Sequence, residues 1–202
     1  MSQPGTFIVS LDCEGKWGMA DHLTAWHHAH LNRAELGGAY RQLLDLFGRY
    51  QIPASFAFVM AFVLSESEQA DMADHFADTP IEGTNWLAAF RAAQASGDLG
   101  GWSHPELLAL VRAEPMHEVA CHGFTHLPLA EELVPQAEAA RELAACQEAA
   151  RLKRLTLETF VYPRNLKGWP QVRAEAGLKG FRARPARRGK VGLLAAELDP
   201  FD

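Results

Sequence analysis

Two histidines four residues apart, His122 and His126, are the residues of this chain best suited to bind a metal ion. Imidazole nitrogens are common zinc ligands, and two of them at this spacing can reach one ion from a single helical turn or a tight loop. The pair follows a short apolar run, and Gly123 and Pro128 mark the passage into a loop. Because the same spacing also occurs by chance on surface helices, a solvated or hydrogen-bonded pair is the alternative.

Two carboxylates, Asp12 and Glu14, end an apolar run near the N-terminus, directly before Gly15. Side chains alternate along a strand, so these two would lie on the same face. Two like charges this close together favour the presence of a cation. One carboxylate can complete a metal site with the two histidines, and the other can act as a general base on a water molecule. The alternative is that one of them caps a helix or pairs with an arginine.

The elements that would position these residues alternate between strand and helix patterns. Helical patterns cover residues 34–50 and 135–153, and apolar runs lie before and after them. This alternation indicates a parallel β/α architecture, in which chemistry takes place at the carboxyl ends of the strands. The predicted strands cover residues 6–14, 54–62, 118–123, 159–163 and 180–183, with a weaker sixth candidate at 190–195.

The segment 64–115 is too long for a simple connection between the second and third strands. It contains apolar helical runs at 85–95 and 105–113, so we interpret it as a helical insertion. The whole chain has 202 residues, of which 48% are hydrophobic, and this is enough for one sizeable core. We therefore expect a single domain over residues 1–202.

Taken in this order, the two carboxylates and the two histidines resemble the polysaccharide deacetylase family, which is the NodB-homology domain of carbohydrate esterase family four. The run HEVACH at 117–122 is similar to the family's HEIGSHG lead-in, and QIPASFAF at 51–58 is similar to its GIKATFF strand. The run FVYPRN at 160–165 is similar to its arginine-and-proline motif. The resemblance covers about residues 6–185. A further similarity, to the WbmS-like subgroup of O-antigen biosynthesis, rests on Trp102, Pro105, Glu106 and Leu107.

The resemblance implies an α/β fold, an irregular (β/α) barrel with parallel strands, with the helical insertion between strands two and three. It implies hydrolysis of an N-acetyl group on an amino sugar or polysaccharide, in the biosynthesis of cell-surface polysaccharide. Glu14, His122 and His126 would hold one divalent metal, zinc first, with cobalt, manganese or iron as alternatives. Asp12 would be the catalytic base, and Arg164 would orient that base or hold the substrate.

Three departures from the family pattern bear on these roles. Cys13 separates the two carboxylates, which leaves open which is the base and which the ligand. Arg164 follows its proline instead of preceding it. No histidine follows His126, although the family's catalytic acid is a histidine near the C-terminus. We expect the chain to lack its natural C-terminal end. Alternatively, the acid comes from a cluster made of His22, His27, His28 and His30.

Aromatic residues and one basic run are candidates for substrate binding. Trp17 and Trp26 follow the first strand and could stack on a sugar, with core or rim packing as the alternative. The backbone N–H of Tyr162 is a candidate donor to the oxyanion. The basic run at 182–190 could meet a phosphate on an activated sugar, or could be a solvated loop.

Composition limits the class of protein. The net charge of −6 argues against nucleic acid as a partner, and no stretch is long enough to span a membrane. The absence of a signal peptide and an odd number of cysteines, three, predict a cytoplasmic protein. The sequence does not indicate the oligomeric state. The alternative functions are a non-catalytic metal- or sugar-binding relative, and a hydrolase of another C–N bond, such as a deformylase.

Overall fold

The computed structural model describes residues 7–183, and its main sheet has five parallel strands whose spatial order follows the chain. A separate antiparallel pair forms a small hairpin. The main sheet consists of β1 (Val9–Cys13), β2 (Ala54–Phe58), β5 (Glu118–Cys121), β6 (Thr159–Val161) and β7 (Gly180–Arg182), and the hairpin of β3 (Pro80–Ile81) and β4 (Thr84–Asn85).

The main sheet curls into an open half-barrel. The strands at its two edges, β1 and β7, approach each other. Arg182 at the end of β7 donates from Nη1 to Ser10 Oγ of β1 at 2.8 Å. This confirms the predicted parallel α/β architecture of the barrel type. All five strands predicted from apolar runs are present, each shorter than predicted. The sixth candidate, at 190–195, lies outside the described residues.

Seven α-helices connect the strands within the described residues. The two long ones confirm the predicted helices to within one residue. One begins after Asn32, whose side chain accepts the N–H groups of Ala34 and Glu35, and ends at Gln51 in the left-handed conformation. The helices are α1 (Ala25–His30), α2 (Arg33–Tyr50), α3 (Glu66–Asp71), α4 (Ala88–Ser96), α5 (Pro105–Arg112), α6 (Gln136–Lys153) and α7 (Pro170–Glu175). None of the helices within 7–183 combines the length and the apolar character needed to cross a bilayer.

The apolar run that follows β2 stays buried after the strand ends. Met60 donates its N–H to the carbonyl of Gly123 at 2.8 Å, and Ala61 donates to Phe124 at 2.9 Å. Val59 donates to Cys13, the last residue of β1, at 3.1 Å. The run therefore ties the carboxyl ends of β1 and β5 together, and these are the strands that lead to the predicted site residues.

The segment between β2 and β5 contains α3, the hairpin, α4 and α5. The predicted helical runs correspond to α4 and α5, whereas the hairpin was not predicted. An aromatic cluster joins this insertion to the chain that follows β1, since the ring of Trp17 lies 4.6 Å from Phe90 and 4.9 Å from Trp102. The insertion thus packs directly against the loop that carries Glu14.

Candidate metal centre

Three predicted metal ligands converge at the carboxyl ends of β1 and β5. Glu14 Oε2 lies 3.2 Å from His122 Nε2 and 3.0 Å from His126 Nε2. All three ligand atoms lie within 4.8 Å of one another. Both imidazoles are buried, whereas 29% of the Glu14 side chain is exposed. The cluster is therefore closed on the protein side and open to solvent on the side of the carboxylate.

Local backbone geometry gives each ligand its direction. Glu14 follows β1 and begins the short 3-10 helix Gly15–Met19. A Cβ atom at Gly18 would lie 2.0 Å from Glu14 Oε1, so the glycine leaves the space that this carboxylate fills. His122 continues the sheet by donating its backbone N–H to Phe58 at 2.8 Å. His126 adopts a left-handed conformation with φ of 61°.

The hydrogen bonds of the imidazoles decide which nitrogen faces the cluster. His122 Nδ1 lies 2.7 Å from the carbonyl oxygen of Val161, to which it donates its proton. This leaves Nε2 as the nitrogen that faces Glu14, as in many metal-bound histidines. The buried Nδ1 of His126 has no hydrogen-bond partner in the described part of the chain. Its ring packs at 4.7 Å from the ring of His122.

The protonation states suit a divalent cation. Burial raises the pKa of Glu14, but the hydrogen bonds with His122 and His126 outweigh burial and hold that pKa well below its usual range. Burial lowers the pKa of His126, against the opposing hydrogen bond with Glu14. An ionised carboxylate with a neutral imidazole is the form in which these groups bind metals. The residues present therefore fit a site for zinc or a similar ion.

Asp12 lies beside this cluster and does not complete it. Its Oδ2 is 3.8 Å from His122 Nε2, and its Oδ1 forms an ion pair with Nη2 of Arg182. Glu14 contacts both imidazoles, whereas Asp12 approaches only one. This geometry favours Glu14 as the metal ligand and Asp12 as the base.

Comparison with known proteins gives matches only among solved structures. No protein-family model matches the chain, and no curated protein matches it. The crystal structure of a Mycobacterium smegmatis protein, assigned as a polysaccharide deacetylase, matches 86% of this chain with a TM-score of 0.55 and 17% identity. The chain has the polysaccharide deacetylase fold.

The match covers about half of the M. smegmatis protein, 49% of its length. A second structure is IcaB from Ammonifex degensii, with 15% identity and a TM-score of 0.43. The match covers 90% of this chain and 61% of the IcaB chain.

Arg164 does not contact Asp12, so the structure does not support its predicted role in orienting the base, and its other predicted role, holding the substrate, stays a prediction. Arg164 forms an ion pair with Asp21 at 2.5 Å, and its guanidinium lies 5.1 Å from the ring centre of Trp86. It adopts a left-handed conformation with φ of 56° in the turn after β6. The arginine that contacts Asp12 is Arg182 on the neighbouring strand β7. Arg182 belongs to a predicted strand that lies beside the strand before Arg164. This position was the sign in the sequence that Arg182 could contact Asp12.

Two of the three predicted substrate contacts do not fit their positions in the structure. Trp17 is fully buried and donates its indole N–H to the carbonyl of Trp102 at 3.0 Å, so it is a packing residue. The backbone N–H of Tyr162 donates to the carbonyl of Arg182 at 2.9 Å and is not available to an oxyanion. Trp26 is 63% exposed on α1, and its role in substrate binding stays a prediction.

Sequence reasoning missed Glu142, which holds the loop that carries His126. This residue of α6 is buried, and its Oε1 accepts the backbone N–H groups of Phe124, Thr125 and Leu127 at 2.8, 2.7 and 3.3 Å. Its Oε2 accepts the hydroxyl of Thr125 at 3.0 Å. Burial raises the pKa of Glu142, and these hydrogen bonds oppose that shift. A glutamate on the apolar face of an amphipathic helix was the only sign in the sequence.

The histidine cluster lies on and before α1. His22 Nδ1 is 2.5 Å from Asp21 Oδ1, the same carboxylate oxygen that Arg164 contacts. His27 closes a capping box with Thr24 at the start of α1, which gives it a structural role. His28 and His30 are exposed.

Proposed function

We propose that this protein is a metal-dependent hydrolase that removes an N-acetyl group from an amino sugar or polysaccharide, in the biosynthesis of cell-surface polysaccharide. The observation that carries the proposal is the convergence of Glu14, His122 and His126, with Asp12 beside them. The shared fold with an assigned polysaccharide deacetylase supports it. The free, buried cysteines support a reducing, cytoplasmic location.

Glu14, His122 and His126 would hold the divalent metal, for which zinc is our first candidate. A divalent cation bound there would polarise the amide carbonyl and make water a better nucleophile at neutral pH. The Nδ1–H bond from His122 to Val161 keeps Nε2 of that imidazole free to bind the metal. The exposed side of the Glu14 carboxylate leaves an approach for the acetyl group.

Asp12 would accept the proton of the attacking water and return it to the leaving nitrogen. Arg182 binds one oxygen of this carboxylate, which leaves the other directed toward His122. The bond of Arg182 to Ser10 fixes the guanidinium in turn. Strand β1 would therefore hold the backbone of Asp12, and Arg182 would hold its carboxylate, before the substrate arrives.

The test combines metal analysis with acetate release. The natural chain should bind about one metal ion per chain and release acetate from N-acetylglucosamine oligomers. His122→Ala should lose both, because an imidazole ligand is removed. His75→Ala, at a partly exposed histidine outside both the metal cluster and the α1 cluster, is the matched control and should retain both.

Three outcomes contradict the proposal in different ways. Equal metal content in His122→Ala and the natural chain would show that the cluster is not the metal site. Bound metal without acetate release from any acetylated sugar would favour a non-catalytic metal- or sugar-binding protein. Formate release from a formylated amino sugar, without acetate release, would assign a deformylase to the same site.

A further inference from the structure

A groove of about 480 Å³ lies between the chain that follows β1 and helix α4 of the insertion. Cavities of this size commonly hold small ligands. One wall is apolar and consists of alanines on successive turns of α4, among them Ala88, Ala89 and Ala92. Thr84 and Asn85 of the hairpin add polar groups at its edge. A flat apolar wall with nearby polar groups suits a sugar ring, which has an apolar face and a rim of hydroxyls.

The side chain of Lys16 also lines this groove, and it is the unusual feature there. Lys16 is only 2% exposed. Its backbone N–H donates to Gly101, but within residues 7–183 its ammonium group has neither a hydrogen-bond acceptor nor an ion-pair partner. The Nζ atom is not among the fully buried polar atoms, so the ammonium stays open to solvent, and an anion bound there would be a favourable partner for it.

The other charged groups of the groove already have partners. Asp21 binds Arg164 and His22. Asp98 Oδ1 accepts the backbone N–H of Gly100 at 3.2 Å. Asp98 keeps its negative charge, so Lys16 is the cationic side chain among the described lining residues that is left to bind an anion.

The groove is connected to the candidate metal centre. Asp21 in the groove wall binds Arg164, and Arg164 lies over the ring of Trp86. Trp86 in turn stacks against His126, with ring centres 6.4 Å apart and planes inclined by 28°. A ligand in the groove would thus lie next to the residues that border the metal cluster.

We propose that this groove binds an anionic sugar, with its carboxylate or phosphate on Lys16 and its ring against the alanine wall of α4. That this sugar is a neighbouring unit of the acetylated substrate rests on the proposed function. The binding site itself does not, because the groove, the alanines and the ammonium are separate from the metal ligands.

Binding is measured on the natural chain by calorimetry with glucuronate, glucose 6-phosphate, neutral glucose and inorganic phosphate. One or both anionic sugars should bind at least about tenfold more tightly than glucose, and the tighter of the two identifies the anion. Lys16→Met, which keeps the aliphatic stem, should weaken that binding about tenfold or more. Lys179→Met, at an exposed lysine outside the groove, is the control and should bind as the natural chain does.

A second variant leaves Lys16 intact and covers the case in which Lys16→Met does not fold. Ala92→Phe fills the groove from an exposed position of α4 and should also weaken binding. Equal binding of glucose and the anionic sugars, or equal binding by the Lys16 and Lys179 variants, would overturn the proposal. Inorganic phosphate binding as tightly as glucose 6-phosphate would overturn the sugar part of it. Acetate release from neutral oligomers reports separately on the proposed function.

Discussion

Arg182 and Arg164 lie at the ends of neighbouring strands but contact different carboxylates. Arg182 binds Asp12 and Ser10, and Arg164 binds Asp21 and lies over Trp86. Only the first of these arrangements acts directly on the proposed base. The roles of the two arginines can therefore be distinguished by experiment.

Arg182→Gln should lower kcat for acetate release by up to about a hundredfold, because a small misplacement of a catalytic group has effects of this size. Metal content should be unchanged, since Arg182 contacts no metal ligand except through Asp12. Arg164→Gln is the matched variant and should lower kcat less. Steady-state kinetics with metal analysis checks both. A larger loss of kcat in Arg164→Gln would show that Arg182 does not position the base.

At the residue scale, the convergence of Glu14, His122 and His126 could be predicted from the sequence, and the arginine that contacts Asp12 could not. Glu14, His122 and His126 stand out because charged and imidazole side chains are rare at the ends of apolar strands. The direction of Arg164 depends on a left-handed residue in the turn after β6, which no local pattern indicates. The pairing of Arg182 with Asp12 depends on how far the sheet curls, which is a property of the whole barrel.

At the scale of elements, helix α6 supports the candidate metal centre through one side chain. Glu142 accepts three backbone N–H groups. Two belong to residues between His122 and His126, and the third belongs to Leu127, directly after His126. These donors are buried and would have no acceptor without it. The loop conformation, including the positive φ of His126, therefore depends on a residue sixteen positions away in sequence.

Glu142→Ala should destabilise the fold by about 3 kcal/mol, because it leaves buried N–H groups unsatisfied. It should also weaken metal binding. Glu142→Gln should retain most of both, since its carbonyl oxygen can accept the same N–H groups. Chemical denaturation and metal titration check these outcomes. Glu148→Ala, at a partly exposed glutamate of the same helix, should change neither. If Glu142→Ala binds metal as tightly as the natural chain, the loop does not need this residue.

The chain after β1 provides a second test at this scale. Gly18→Ala places a methyl group where the Glu14 carboxylate lies, and the flexible glutamate can move away without unfolding the chain. We expect metal affinity to fall at least about tenfold, a loss of about 1.4 kcal/mol, with little change in thermal stability. Gly38→Ala in α2 is the control, since no atom lies within 4 Å of its added Cβ. It should leave metal binding intact and stabilise the helix slightly. Unchanged affinity in Gly18→Ala would contradict the assigned position of Glu14.

The boundaries of the elements were harder to predict than their order. The apolar run after Ala54 predicts a strand to residue 62, but the strand ends at Phe58. Residues 59–61 remain buried while their N–H groups bond to the ends of β1 and the loop after β5. A run of apolar residues indicates only that the segment is buried. The sequence therefore does not distinguish a strand from a buried connection.

At the scale of the whole molecule, one large core cluster includes all three cysteines, and a small separate cluster consists of Ala57, Ala120 and Val161. Burial raises the pKa of Cys13 to about 12 and raises the pKa of Cys146 well above its usual value. A thiol that is both protonated and inaccessible reacts slowly. The thiols thus report on the integrity of the core.

No thiol should react with Ellman's reagent in the native protein at pH 8, and all three should react in denaturant. Absorbance of the released thiolate gives the count. Cys13→Ser is the control, because it should lower the count in denaturant to two without creating a reactive native thiol. Rapid reaction of one thiol in the native chain would contradict the packing around it.

The contact between Trp86 and His126 has a consequence for engineering and for divergence of this scaffold. Trp86 belongs to the insertion, and its indole N–H also holds the carbonyl of Thr125. Grafting this segment from a relative, in order to transfer substrate preference, would also change the support of an imidazole that the proposed chemistry uses. Selectivity and turnover in this scaffold are therefore expected to vary together instead of as separable modules.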